Sequence, residues 1–239
     1  MTELLYHTDA YLQEFQASVT AVLPDERAIV LDRTAFYPGG GGQPCDFGSL
    51  NVNGVVSWVD KVKKQGEDVL HFLGGTSPLP SIGSVSRGTL DWVRRYKLMR
   101  THTALHVLCG TVFRDYGALV TGGDMEPLKG RLDFEFETMR GELVREIETA
   151  INKEVQMARD IRVNILPREE AFQIPDLIRT KINLLPAGIS HVRTIEIVGL
   201  DLQADGGTHV RNTNEVGRIR VADYKSKGAI NKRIYIEVE

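Results

Sequence analysis

The sequence predicts an α+β protein: a small N-terminal β-barrel domain over residues 1–90, followed by an α+β domain over residues 91–239. Three observations carry this. Short β-branched segments separated by turn residues fill the chain from residue 8 to about residue 88. A cluster of Pro78, Pro80, Gly83 and Gly88 then interrupts the chain before Trp92. Beyond that cluster, stretches with apolar residues at helical spacing alternate with strand-like ones.

In the first part, residues 17–23, 28–31, 54–59 and 68–73 read as strands, and several short strands at close spacing suggest a small barrel. In the second, residues 94–116 contain no proline and carry Leu98, Leu105, Val107, Leu108, Val112 and Phe113, which predicts a helix of about six turns, with Gly117 as its stop. Residues 142–159 predict a second helix, with Leu143, Ile147, Ile151 and Val155 at four-residue spacing and charges between them. Residues 131–136, 161–166, 192–197 and 233–238 read as strands, completing a sheet with helices on it.

The chain has 239 residues, 42% hydrophobic and 26% charged, an ordinary balance for a globular protein. No stretch approaches the roughly 20 apolar residues of a membrane span, so no membrane partner is expected. The N-terminus, with an early carboxylate, does not read as a signal peptide. Two cysteines, Cys45 and Cys109, make no disulfide framework, and free thiols suit the reducing cytoplasm. A net charge of −3 argues against a general nucleic-acid coat, because non-specific binding rests on phosphate neutralisation, but it leaves room for a local basic patch.

His102 and His106 stand four residues apart in the first helix, so their imidazoles share one face, one turn apart. That spacing offers two ligands to one ion. It is not the zincin motif, since Thr103 stands where that motif needs glutamate. A satisfied or solvated histidine pair is the alternative reading. A hundred residues on, Asp205-Gly206-Gly207-Thr208-His209 sets a carboxylate and an imidazole on either side of a Gly-Gly bend. Three imidazoles and one oxygen would make a tetrahedral set suited to zinc; the alternative is an ordinary Asp-Gly turn. Cys109 shares the helix face and is a further candidate, though its neighbours Leu105, Val112 and Phe113 favour a place in the core. The run Gly39, Gly40, Gly41, Gly42, Gln43 permits close backbone approach to a ligand, but it lacks the Gly-Lys-Ser/Thr ending of a P-loop and the spacing of a dinucleotide fingerprint.

Taken together, Thr101-His102-Thr103-Ala104-Leu105-His106, Gly206-Gly207-Thr208-His209-Val210, the C-terminal Lys225-Ser226-Lys227-Gly228 with Asn231-Lys232-Arg233, and Tyr37 to Asp46 resemble the editing domain of alanyl-tRNA synthetases and its free-standing AlaX relatives of medium length. The resemblance spans nearly the whole chain. It implies a second domain of the threonyl/alanyl-tRNA synthetase second-additional-domain type, and hydrolysis of the ester joining serine, or glycine, to tRNA(Ala). It implies one zinc ion on His102, His106 and His209; many relatives carry cysteine at the position of Asp205, which makes Asp205 the expected fourth ligand here, with water and nearby Gln203 as the alternative. It implies that Thr121 meets the serine hydroxyl and that the loop of Gly39, Gly40, Gly41, Gly42 and Gln43 reaches the editing site and the tRNA acceptor end. Arg193, Arg211, Lys225, Lys227, Lys232 and Arg233 are candidate phosphate contacts, each also readable as an ordinary solvated charge. The metal would either lower the pKa of a bound water or orient the substrate beside an attacking water. No Ser-His-Asp or Cys-His order points to covalent catalysis. A metal hydrolase of small esters or amides, and a non-catalytic tRNA-binding module, are the competing readings; a monomer or weak dimer is expected.

Overall fold

The computed structural model describes residues 1–180 and 188–239. The chain folds into two compact units, Met1–Tyr96 and Lys97–Glu239.

The first unit holds β1 (Glu3–Leu4), β2 (Glu14–Leu23), β3 (Ala28–Leu31), β4 (Arg33–Thr34), β5 (Gly48–Val52), β6 (Val55–Gln65), β7 (Asp68–Leu73) and β8 (Val85–Leu90). Six of these close a barrel in the order β2-β3-β7-β6-β5-β8. The period-2 pattern of β8, with Ser86, Gly88 and Leu90 buried between more exposed neighbours, shows how inward and outward residues alternate around it. Phe15, Val19, Ile29, Leu31, Phe36, Leu50, Val59 and Val69 fill the interior. Each large apolar side chain taken fully from water contributes about 1.5–3 kcal/mol. Gly88, which the sequence suggests as punctuation, lies inside the last barrel strand: a Cβ there would come within 2.3 Å of the Phe15 ring, so only glycine lets that ring cross the strand.

The glycine-rich loop leaves this barrel through a closed neck. Tyr37 N–H donates to Asp46 Oδ2 at 2.7 Å, and Asp46 N–H donates back to the Tyr37 carbonyl at 3.0 Å. Asp46 is fully buried and pairs with Arg95, whose Nε lies 3.0 Å from Oδ1, while other guanidinium nitrogens donate to the Ala10 and Ala35 carbonyls. A buried pair of this kind is costly to break, about 3–5 kcal/mol, because the orphaned charge has no solvent. Within the loop, Gly39, Gly40, Gly41 and Gly42 all have positive φ, which side-chain-bearing residues adopt only at a cost.

The second unit contains most of α1 (Trp92–Tyr116), whose first turn belongs to the barrel unit, then β9 (Val120–Glu126), β10 (Lys129–Glu135), α2 (Gly141–Gln156), β11 (Ile161–Pro167), α3 (Arg168–Ala171), β12 (His191–Ile197), β13 (Asp201–Ala204), β14 (Ile219–Ser226) and β15 (Asn231–Val238). Two antiparallel sheets form, ordered β14-β15-β10-β9 and β11-β12-β13. The expected α+β class holds, with strands at β9, β13 and β14 that polar and glycine-rich composition hides. In α2 the buried stripe is Val144, Ile147, Ile151 and Val155, with Leu143 half-buried; a 3.6-residue turn drifts past strict four-residue spacing, so Val144 takes the inward position. Every residue of α1 from Thr101 to Val112 is buried. A helix enclosed all round is ordinarily apolar all round, so the polar side chains this one carries must have specific partners.

His71, completely buried in the barrel, lies 2.8 Å from the Thr34 hydroxyl through Nε2, and burial lowers its pKa to about 4. The neutral ring is therefore the folded form, and the unfolded chain binds the proton first as pH falls. Stability supplied by neutral His71 is complete above pH 6.5 and is lost down to about pH 4, by up to about 3 kcal/mol. His71→Gln, which cannot ionise there, should show a smaller fall in urea-unfolding stability between pH 7 and pH 4 than the wild type; equal falls would refute the assignment.

Candidate metal centre

The α1 periodicity sets His102 and His106 on one face with ring centroids 5.1 Å apart. The chain returns to that face after β13, where Asp205 and the Gly206-Gly207 bend lead into His209. The His209 ring lies 4.2 Å from that of His102 and 4.7 Å from that of His106. Asp205 Oδ1 is 3.5 Å from His102 Nε2, and Oδ2 is 3.0 Å from His209 Nε2. One ligand atom from each of His102, His106, Asp205 and His209 lies within 4.8 Å of all the others.

The surroundings orient these groups. Gly207 N–H donates to Asp205 Oδ2 at 2.7 Å, closing the bend on its own carboxylate. Arg193 Nη1 donates to the Asp205 carbonyl at 2.9 Å. Thr103 Oγ1 lies 3.2 Å from His209 Nδ1 and accepts the Val210 N–H, so the outer nitrogen of His209 is engaged and Nε2 faces Asp205. His106 Nδ1 lies 3.2 Å from Asp201 Oδ2.

Burial holds His102 well below the usual histidine range and lowers His209 to about 4, against the pull of Asp205 on each. For His106 burial also acts downward, but the Asp201 hydrogen bond and the charges of Asp205 and Asp201 outweigh it and raise the pKa. Burial acts upward on Asp205, yet the imidazoles, His102 foremost, and the His209 hydrogen bond hold its carboxyl well below the ordinary range. A carboxylate oxygen thus stands among three imidazoles, and three nitrogens with one oxygen are a donor set that fits a divalent ion such as zinc.

The other candidate residues separate into groups. Cys109 is buried and outside the four; its Sγ lies 3.3 Å from Gln203 Nε2, and burial pushes its thiol pKa up. Thr121 lies in β9, and its hydroxyl donates to Asn231 Oδ1 at 3.0 Å on the exposed side. Arg193, with a side chain 5% exposed, belongs with Asp205 and not with a surface patch. Arg233 is held by Asp133 through two hydrogen bonds of 2.6 and 2.7 Å, and Lys232 is buried with Nζ on the Gly228 and Ala229 carbonyls. Lys225, paired with Asp223 at 3.0 Å, is exposed, as are Lys227 and Arg211. Gln43 is buried at the loop, its backbone exchanging hydrogen bonds with Gly40. Sequence reasoning missed Thr103 and Asp201 as partners of the histidines. The signal for Asp201 was present: Asp201, Gln203 and Asp205 recur every second residue, the spacing of one strand face.

Two family models match the chain. One, described as threonyl and alanyl tRNA synthetase second additional domain, covers residues 192–235; the other, tRNA synthetases class II (A), covers residues 6–94. Among similar proteins, the alanyl-tRNA editing protein AlaX-M of Saccharolobus solfataricus is 39% identical over 243 residues, spanning 100% of both chains. Its namesake from Methanosarcina acetivorans is 37% identical over 98% of both. The alanine–tRNA ligase of Pyrococcus abyssi is 39% identical over 92% of this chain but only 24% of its own.

The donor set makes a prediction about the fourth ligand. Cys109→Ala should bind zinc within a few-fold of wild type, while Asp205→Ala should lose at least about tenfold in a chelator-competition titration. The reverse ranking would make Cys109 the ligand.

Proposed function

This chain belongs to the alanyl-tRNA editing proteins, and on that premise we propose that it is a trans-editing hydrolase that removes serine from mischarged tRNA(Ala) at one zinc ion held by His102, His106, Asp205 and His209. The observation that carries the reading is the convergence of three buried imidazoles and the half-buried Asp205 carboxylate from two segments about a hundred residues apart, in a chain that matches such proteins end to end.

The need for such an enzyme is physical. A synthetase pocket shaped for alanine cannot strongly reject serine, which only adds a hydroxyl, and gains about 10²-fold at most. A second site that hydrogen-bonds that hydroxyl disfavours alanine, which would leave the polar partner unpaired. In the reaction, water attacks the ester carbonyl carbon, the bond to the terminal ribose oxygen breaks, and free serine and the ribose hydroxyl leave. Bound in this site, the ion supplies Lewis acidity. The chain does the positioning: Thr103 orients His209, the Gly207 amide and Arg193 hold Asp205, and burial keeps His102 and His209 neutral.

Gly39, Gly40, Gly41, Gly42 and Gln43 are assigned to substrate contact. The four glycines are pre-set at positive φ, and at Gly41 nothing lies within 4 Å of where a Cβ would stand, so the loop tip is open. Exposed Lys225, Lys227 and Arg211 are the cations best placed to meet phosphate, a contribution that should weaken with salt.

His102→Ala and His209→Ala should lose bound zinc and seryl-tRNA(Ala) deacylation together, with rates falling by about 10²-fold or more. Full activity in either metal-free variant would sink the mechanism, and equal wild-type activity on small seryl esters would favour a general esterase. Serine selectivity is assigned to Thr121, whose hydroxyl would exchange Asn231 for the substrate. Thr121→Val should shrink the ratio of seryl- to alanyl-tRNA hydrolysis by about tenfold; an unchanged ratio removes Thr121 from that role.

A further inference from the structure

We propose that Asp201 is a positioning residue of the metal centre, fixing which nitrogen of His106 is offered to the ion, and that Gly110 is glycine so that Asp201 can reach the helix. The inference rests on the functional reading above for the identity of the centre, but it concerns residues outside the four donors.

The Asp201 side chain is completely buried at the start of β13, and each of its oxygens has a donor. Oδ2 lies 3.2 Å from His106 Nδ1 and accepts from Gln203 Nε2 at 2.6 Å; Oδ1 accepts from Arg179 Nε at 3.4 Å. Arg179 is itself fixed, with its guanidinium 3.9 Å from the Phe113 ring centre and Nη1 on the Asp176 carbonyl. A carboxylate can only accept, so the nitrogen facing it must carry the proton. His106 therefore presents Nδ1–H to Asp201, and the lone pair of Nε2 is left for the ion. Partners of this kind on the outer nitrogen set ring orientation and ligand basicity.

The helix makes room for this contact. Gly110 stands one turn after His106 in the interior of α1, where glycine is a poor helix former. A Cβ at Gly110 would lie 2.8 Å from Asp201 Cβ, 3.1 Å from Leu200 Cγ and 3.3 Å from Asp201 Cγ. The bare backbone is thus what allows the carboxylate to close on His106. Gln203 adds a second bridge, its Nε2 lying between Asp201 Oδ2 and Cys109 Sγ, so the helix and β13 are joined by polar contacts over successive turns.

Two variants test this by different routes. In Asp201→Asn the amide oxygen should turn to the Arg179 cation and the NH2 to His106, converting Nδ1 to an acceptor and moving the proton to Nε2. Gly110→Ala keeps the carboxylate but pushes it from the ring. Each should bind zinc about 10–100-fold more weakly in competition with a chromophoric chelator. Circular dichroism should show both apo-proteins folded, and imidazole ¹⁵N spectra at pH 8 should show His106 in the Nδ1–H tautomer in the wild type and the Nε2–H tautomer in Asp201→Asn. Wild-type zinc affinity in both variants, or an unchanged tautomer, overturns the proposal. Should Asp201→Asn fail to fold, the zinc affinity of Gly110→Ala decides. If wild type binds zinc and the variants do not, yet seryl-tRNA survives incubation with wild type, the positioning role stands and the functional reading fails.

Discussion

Enclosing three imidazoles and a carboxylate within 4.8 Å of one another is the constraint that shapes the second unit. Such groups lose their water, and each must recover the lost hydrogen bonds from the protein. The helix answers with Thr103, one residue after His102, whose hydroxyl meets His209. The segment from β13 onward answers with Asp201 and with the Gly207 amide. Arg193 and Arg179, both little exposed, place positive charge beside the carboxylates of Asp205 and Asp201. The same low-dielectric setting that makes a half-satisfied cluster costly makes a fully satisfied one rigid.

The first unit meets a comparable constraint in a different way. A barrel with an apolar interior has little to offer a loop of four successive glycines, which lacks side chains to pack. Its ends are tied instead by polar contacts: Tyr37 and Asp46 close the neck, and the buried Arg95 guanidinium holds Asp46 and two backbone carbonyls. The base is fixed where charge and hydrogen bonding are concentrated, and the tip is left with the conformations only glycine takes.

Much of this was legible along the chain. The barrel strands β2, β3, β6 and β7, both long helices and strands β10, β11, β12 and β15 follow from apolar period and turn chemistry, which are local properties. Strands β9 and β14 were not legible. Val120–Glu126 carries two glycines and two acids, and Ile219–Ser226 is largely exposed, so neither shows the alternation that marks a half-buried strand. They are strands because β10 and β15 supply hydrogen-bonding edges, a tertiary cause. The same limit applied to the basic residues. In the sequence Arg193, Lys232 and Arg233 are indistinguishable from Lys225 and Lys227, and only the fold shows the first three tied to Asp205, to backbone carbonyls and to Asp133.

The sequence by itself determined that His102 and His106 share a helix face, because a helix turns by about 100° per residue and leaves no freedom in the matter, and that a Gly-Gly bend separates Asp205 from His209. Only the tertiary structure decided that these two segments meet, that Cys109 stands apart from the four, and that Asp201 and Thr103 face the outer nitrogens. The reason is that an imidazole has two nitrogens and a sequence names neither. Which one carries the proton is settled by the atom packed against it, and for His106 that atom comes from a strand ninety-five residues away.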